Sequence, residues 1–70
     1  MQEIWTYHIT VQGQVGEHEL NKMSPLEISV IHEDPASTLV EACSDQSGLI
    51  GLMRHLHGCG FLFLSITREQ

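Results

Sequence analysis

One amphipathic helix is the feature that most constrains the fold of this 70-residue chain. Asp45, or Ser44 before it, is suited to cap a first helical turn, and Gly58 is suited to the left-handed residue that ends a helix. Between them the apolar side chains recur at spacings of three and four residues, which makes one stripe: Leu49, Leu52, Met53 and Leu56. A lone helix with one apolar stripe has to bury it against a sheet.

Four other segments have the character of strands. Residues 4–11 alternate between apolar and polar side chains, residues 26–31 alternate again, and residues 37–43 turn Val40 and Ala42 to the core. The last segment, residues 61–67, is apolar on both faces at its start. Gly13 ends the first strand, and the sequence Glu-Asp-Pro-Ala at residues 33–36 is typical of a type I turn.

These elements predict a single α+β domain over residues 1–70, with element order βββαβ and a mixed four-stranded sheet with one helix packed on one face. The first three strands are expected to form an antiparallel meander, and the fourth to run parallel to the first and third. We expect the strand order 3-2-1-4, with the fourth strand beside the third as the alternative. The predicted core comprises Trp5, Tyr7, Ile9, Ile28, Val30, Leu49, Leu52, Met53, Leu56, Leu62 and Leu64.

The connection over residues 14–25 is long for a hairpin. Leu20 and Met23 permit one helical turn there, confined by Gly16 and Pro25. Long connections either carry function or cover other structure. We favour a cover over a sheet edge.

Charge and hydropathy exclude several classes of partner. Nine acids against three bases give a net charge of −6, and Lys22, Arg54 and Arg68 are scattered, so no basic stripe is present to neutralise phosphates. We therefore expect no nucleic-acid partner and no membrane partner. No apolar run approaches the length of a membrane span either. The acidic start lacks the basic residues of a secretory signal. The prediction is a cytoplasmic protein whose cysteines, Cys43 and Cys59, are reduced.

The densest candidate metal ligands are His55, His57 and Cys59. The two histidines lie about 160° apart around a helix, so they do not chelate one ion while both are helical. We therefore predict no metal and no cofactor, although whether these three residues bind an ion stays open. Both cysteines are interpreted as structural, because no histidine stands at a spacing that implies a base. An anion site at the helix start is disfavoured by Asp45 and by the absence of a nearby base in the sequence.

Three stretches together are similar to a known family: DQSGLIGLMRHLHG at residues 45–58, FLFLSI at residues 61–66 and YHITVQG at residues 7–13. They resemble a family of uncharacterised bacterial proteins of roughly 70 residues, the length of this chain. The likeness covers nearly the whole chain. It implies the α+β fold and implies no chemistry.

The function predicted from these observations is a small self-associating interaction or regulatory module without catalytic activity. A small-ligand or metal-binding protein is the alternative, and an enzyme would need an acid–base pair that only tertiary proximity creates. The pleat is expected to turn Phe61 and Phe63 to the sheet face opposite the helix, with Ile31 nearby. A homo-oligomer would bury this patch and stabilise a small core. The alternative is that residues 14–25 fold over the two rings.

Overall fold

The computed structural model describes residues 3–23 and 26–69 of the chain. In chain order the elements are β1 (Trp5–Gln12), α1 (Glu17–Met23), β2 (Ile28–Glu33), β3 (Ser37–Ser44), α2 (Gln46–Gly58) and β4 (Phe63–Arg68). The small α+β class and the four strands in one sheet are confirmed. Helix α1 extends the single turn that the sequence permitted. No helix in the described ranges is long and apolar enough to cross a membrane.

The sheet has the order β2-β3-β1-β4, and every neighbouring pair is antiparallel. The predicted meander, the mixed sheet and the order 3-2-1-4 were therefore wrong. The reason lies in residues 13–27, which contain α1 and are long enough for a crossover. The chain passes over the position that β3 later fills, and α2 carries it back over β1 to β4. Two βαβ units interleave in this way, which is the split, ferredoxin-like arrangement.

The core lies between the helices and one face of the sheet. The predicted burial of the α2 stripe is confirmed for three of its leucines, and Met53 packs at the margin together with Trp5 and Val30. Val15 and Leu20, from the connection between β1 and β2, are also buried in the core. The buried apolar residues are Tyr7, Ile9, Val11, Val15, Leu20, Ile28, Val40, Ala42, Leu49, Leu52 and Leu56.

A β-bulge reverses the predicted facing at the start of β4. Ile66 is opposite Ile9, but the register shifts by one residue before Phe63 meets Val11, which leaves Leu64 as the extra residue. Phe63 consequently shares the core face with Ile66, and both Phe61 and Phe63 pack partly buried against the core.

Four predicted positions change as a result. Leu62 and Leu64, predicted to be buried, are 59% and 57% exposed. Phe61 and Phe63, predicted to form a patch on the opposite face, pack against the core instead. A second bulge in β2 has a similar effect, because the register shift there leaves Ile31 as the extra residue, 50% exposed.

Helix α1 covers the outer edge of β2. The Asn21 side chain donates to the Ile28 carbonyl at 2.7 Å and accepts from the Ile28 N–H at 2.7 Å. Glu17 accepts from the Val30 N–H at 3.0 Å, and Leu20 is fully buried beneath the helix. The prediction that this connection covers a sheet edge is confirmed.

A buried hydroxyl fixes the exit from β1. Thr38 is fully buried, donates to the Gly13 carbonyl at 2.7 Å and accepts from the Val15 N–H at 2.9 Å. Gly13 has a φ of 89°, a conformation that favours glycine. The two bonds give the Gly13 carbonyl and the Val15 N–H hydrogen-bond partners.

The predicted start of α2 is confirmed and its predicted end is wrong. Asp45 is the N-cap, and its carboxylate accepts from the Gly48 N–H at 2.7 Å. Gly58 is still helical, and the left-handed residue is Gly60, with a φ of 95°. The N–H of Phe61 returns to the Leu56 carbonyl at 3.1 Å, which directs the chain back to the sheet.

Two glycines of α2 should respond oppositely to alanine. Either change gains about 0.5–1 kcal/mol of helix propensity. At Gly48, however, a Cβ atom would overlap the Ser44 hydroxyl, and such overpacking costs about 1–3 kcal/mol. At Gly51 the same atom meets open space. Urea unfolding should therefore show Gly48→Ala destabilised and Gly51→Ala stabilised, and adding Ser44→Ala to the first variant should restore part of the loss. A stabilised Gly48→Ala protein would contradict this close approach.

The β2–β3 turn predicts a pH-dependent contribution from Asp34. Its carboxylate accepts from the N–H groups of Ala36 at 2.8 Å and Ser37 at 2.9 Å. These hydrogen bonds hold the pKa of the Asp34 carboxyl below its ordinary value. The bond from Ser37 contributes most, the bond from Ala36 comes next, and His32 contributes less. A lowered pKa stabilises the fold above the unfolded-state value of about 4, and this stabilisation is lost as the pH falls through the folded-state value.

Asp34→Asn should therefore melt below the parent protein at neutral pH, and the gap should close in acid. Glu33→Gln, in the same hairpin, is the matched control because it removes the same charge. Melting curves recorded between about pH 7 and about pH 2 make the comparison. An equal gap at every pH would show that the ionised carboxylate contributes nothing.

Candidate functional site

A cleft lies where β1 begins, β4 ends and α2 starts. The sheet register sets this meeting point, because Trp5 is opposite Ser44 and Tyr7 is opposite Arg68. The cleft has a volume of about 620 Å³ and combines an aromatic wall, an apolar helix face and a few polar groups. Its lining residues are Glu3, Trp5, Tyr7, Gln46, Ser47, Leu49, Ile50 and Arg68.

A stacked pair forms one wall of the cleft. The guanidinium carbon of Arg68 lies 3.9 Å from the centroid of the Trp5 ring. This cation–π contact fixes the side chain while the edge of the guanidinium keeps its N–H donors. Sequence reasoning found no base near the start of α2, because Arg68 is distant in the chain and only the β1–β4 pairing brings it there.

The open face of the sheet, opposite the helices, contains a second polar group. His8 pairs across the strands with Glu41, and its Nε2 atom lies 3.2 Å from a Glu41 carboxylate oxygen. A Glu69 carboxylate oxygen lies 3.7 Å from the same nitrogen. His8 and Glu41 are half-buried and Glu69 is exposed. Sequence reasoning missed this group, since its members come from three separate parts of the chain.

Beside this group, Cys43 borders a shallow groove of about 370 Å³ with Glu27, Ser29 and Glu41. The Cys43 sulfur lies 3.5 Å from the Thr6 hydroxyl. The thiol therefore contacts a hydroxyl, while the His8 ring contacts carboxylates. The groove is acidic, in keeping with the net charge of −6.

The sequence-predicted metal candidates do not converge. His57 and Cys59 are exposed at the end of α2. His55 is half-buried, and its Nε2 atom is buried without a hydrogen-bond partner among the described residues. Within residues 3–23 and 26–69, the group of three potential ligand side chains that lie together is His8, Glu41 and Glu69.

The residues predicted for an interface lie on both edge strands and not in one patch. Ile31 is at the β2 bulge, while Phe61 and Phe63 lie at the β4 side, packed against the core. Leu62 and Leu64 take the exposed positions beside them. Within the described chain, no side-chain bonds like those of Asn21 reach the outer edge of β4.

Comparison with known proteins gives a match to a family. The family described as "Domain of unknown function (DUF8691)" matches residues 6–67, from β1 to the penultimate residue of β4. No curated protein and no solved structure matches the chain. This agrees with the resemblance to an uncharacterised family. The chain therefore belongs to the DUF8691 family, a family whose function is unknown.

Proposed function

We propose that this protein is a non-catalytic module that forms a homodimer through the outer edge of β4. The observation that carries the proposal is the difference between the two edges of the sheet. At β2, Asn21 and Glu17 occupy the outward backbone groups of Ile28 and Val30. At β4, which ends the sheet, no strand of the described residues pairs with the outer edge.

The chemistry of the β4 edge supports this proposal. An edge strand presents unpaired N–H and C=O groups, which is a template for pairing with another chain. Leu62 and Leu64 are more than half exposed at the start of the strand and would be buried by a neighbour. Antiparallel pairing of two β4 strands around a two-fold axis would make one eight-stranded sheet. It would also stabilise a core that is small for an isolated domain.

The absence of catalysis is part of the proposal. The Cys43 sulfur lies 3.5 Å from the Thr6 hydroxyl, which is not a general base. The His8–Glu41 pair is an acid–base pair of the kind that tertiary proximity creates, and it faces a second carboxylate instead of a nucleophile. This arrangement supports a binding role.

Light scattering at micromolar concentration should give the mass of a dimer. Leu64→Lys should reduce it to the monomer mass, because a lysine on an edge strand disfavours pairing. The matched control is Ile31→Lys. Ile31 is the extra residue of the β2 bulge and is about as exposed as Leu64, but it lies on the edge strand that α1 covers. A monomeric parent protein, or equal dissociation by both variants, would contradict pairing through β4.

The second candidate function is the binding of a small aromatic carboxylate in the cleft at the start of α2. The stacked Trp5–Arg68 wall favours it, because a guanidinium edge binds a carboxylate in a fork geometry and the ring offers apolar area. Glu3, on the same cleft, offers the opposite charge to an ammonium group.

Three probes that share a ring and differ in charge test this candidate: benzoate, phenylalanine and phenethylamine. A saturating carboxylate should raise the melting temperature by about 5 °C or more at ten times its dissociation constant. Arg68→Gln should abolish the shift, and Arg54→Gln, at an exposed arginine outside the cleft, should keep it. A larger rise in melting temperature with phenylalanine than with benzoate would indicate that Glu3 binds the ammonium group. A shift from phenethylamine alone, or none, would contradict the candidate.

A further inference from the structure

The open face of the sheet holds three potential ligands in a fixed arrangement. His8 and Glu41 are cross-strand partners in β1 and β3, so the ladder sets their separation. Glu69 follows β4, and its N–H donates to the Thr6 carbonyl at 2.9 Å, which extends the β1–β4 ladder past Arg68. All three side chains therefore extend from paired backbone, and such rigid elements position functional groups better than loops do.

The separations of the three atoms suit a single ion. Nε2 of His8 lies 3.2 Å from a Glu41 oxygen and 3.7 Å from a Glu69 oxygen, and all three atoms lie within 4.8 Å of one another. Metal–ligand bonds of about 2.0–2.1 Å place neighbouring ligand atoms about 2.8–3.4 Å apart in octahedral or tetrahedral geometry. Only small side-chain adjustments separate the observed arrangement from that spacing.

The protein groups alone form one hydrogen bond within this site. A neutral imidazole carries at most one proton on Nε2, so it donates to one carboxylate at a time. The Glu41 oxygen is within hydrogen-bond distance, and the Glu69 oxygen at 3.7 Å is beyond it. Two carboxylates this close repel each other. A cation coordinated by all three atoms would remove the repulsion and use both carboxylates at once.

We propose that His8, Glu41 and Glu69 bind a divalent transition-metal cation such as Zn²⁺. The ligand types decide the class of ion, because imidazole favours zinc and its neighbours over Mg²⁺, while the two carboxylates neutralise the charge. Three protein ligands on an open face leave further coordination positions to water. The adjoining acidic groove, with Glu27 and Glu41, adds negative potential that attracts cations.

This proposal differs from the sequence-based prediction of no metal, which considered ligands that are close in the chain. His8 and Glu41 are 33 residues apart, and Glu69 lies near the other end. The site is at the surface of a sheet whose core is already packed. The ion therefore binds to a folded domain and is not required for folding.

Isothermal titration of the metal-free protein with Zn²⁺ and with Mg²⁺ tests the proposal. Zn²⁺ should bind with a stoichiometry of one and Mg²⁺ should not compete. His8→Gln, Glu41→Gln and Glu69→Gln should each weaken Zn²⁺ binding at least tenfold. The matched control is His32→Gln. It removes an exposed histidine whose Nε2 atom lies 3.5 Å from an Asp34 carboxylate oxygen. This variant should bind Zn²⁺ as tightly as the parent protein does.

A Co²⁺ absorption spectrum separates this site from the thiols. Coordination by His8 and two carboxylates gives no sulfur-to-metal charge-transfer band, whereas binding at Cys43 or Cys59 does. Should His8→Gln or Glu41→Gln fail to fold, the exposed Glu69→Gln variant alone decides the matter. Unchanged affinity in Glu69→Gln, a thiolate band in the parent protein, or no Zn²⁺ binding would each overturn the proposal.

Discussion

The fold depends on the pair of hydrogen bonds between the Asn21 side chain and the backbone of Ile28. They attach α1 to β2 at the point where the strand begins, and each is 2.7 Å long. Because Leu20 is buried on the same short helix, the connection from β1 is held across the sheet as a crossover. This leaves a position beside β1 for β3, and the order β2-β3-β1-β4 follows. The Asn21 side-chain amide thus forms with Ile28 the two hydrogen bonds that the backbone of a fifth strand would form.

The same contact divides the surface of the protein into a closed side and an open side. With β2 covered, β4 is the edge at which another strand can add to the sheet, and its bulge places Leu62 and Leu64 there in solvent. The bulge also turns Phe63 inward, so the core gains a ring and the open face loses one. That face is consequently polar at its centre, where His8 meets two carboxylates. The two surfaces thus offer different interactions. The β4 edge offers apolar side chains and backbone hydrogen-bonding groups, and the open face offers charged side chains.

The family assignment adds no chemistry, since DUF8691 is a domain of unknown function. The fold adds little either, because split βαβ domains serve many unrelated functions. The proposed functions therefore depend on particular groups: the open edge of β4, the stacked Trp5–Arg68 wall and the ligand set around His8. Each was assembled by pairing between strands that are distant in the chain.

The sequence by itself determined the elements of local origin. The stripe of α2, its cap at Asp45, the alternation of β1 and the turn at Asp34 all depend on residues a few positions apart, and all are present. The core positions of β1 and α2 followed from the same periodicities. The covering role of residues 14–25 was also predicted, from the length of the connection alone.

Only the tertiary structure decided which strands pair, which way β4 faces and which polar groups meet. A bulge changes the alternation by one residue without a signal in composition, so Phe63 and Leu64 exchanged faces. Strand order depends on whether α1 forms, which in turn depends on burying Leu20 and bonding Asn21 to a strand later in the chain. Arg68 reached Trp5, and Glu41 reached His8, through the ladder. Local spacing encodes the elements, whereas long-range backbone pairing selects among the ways of joining them, and it is that pairing which builds the candidate sites.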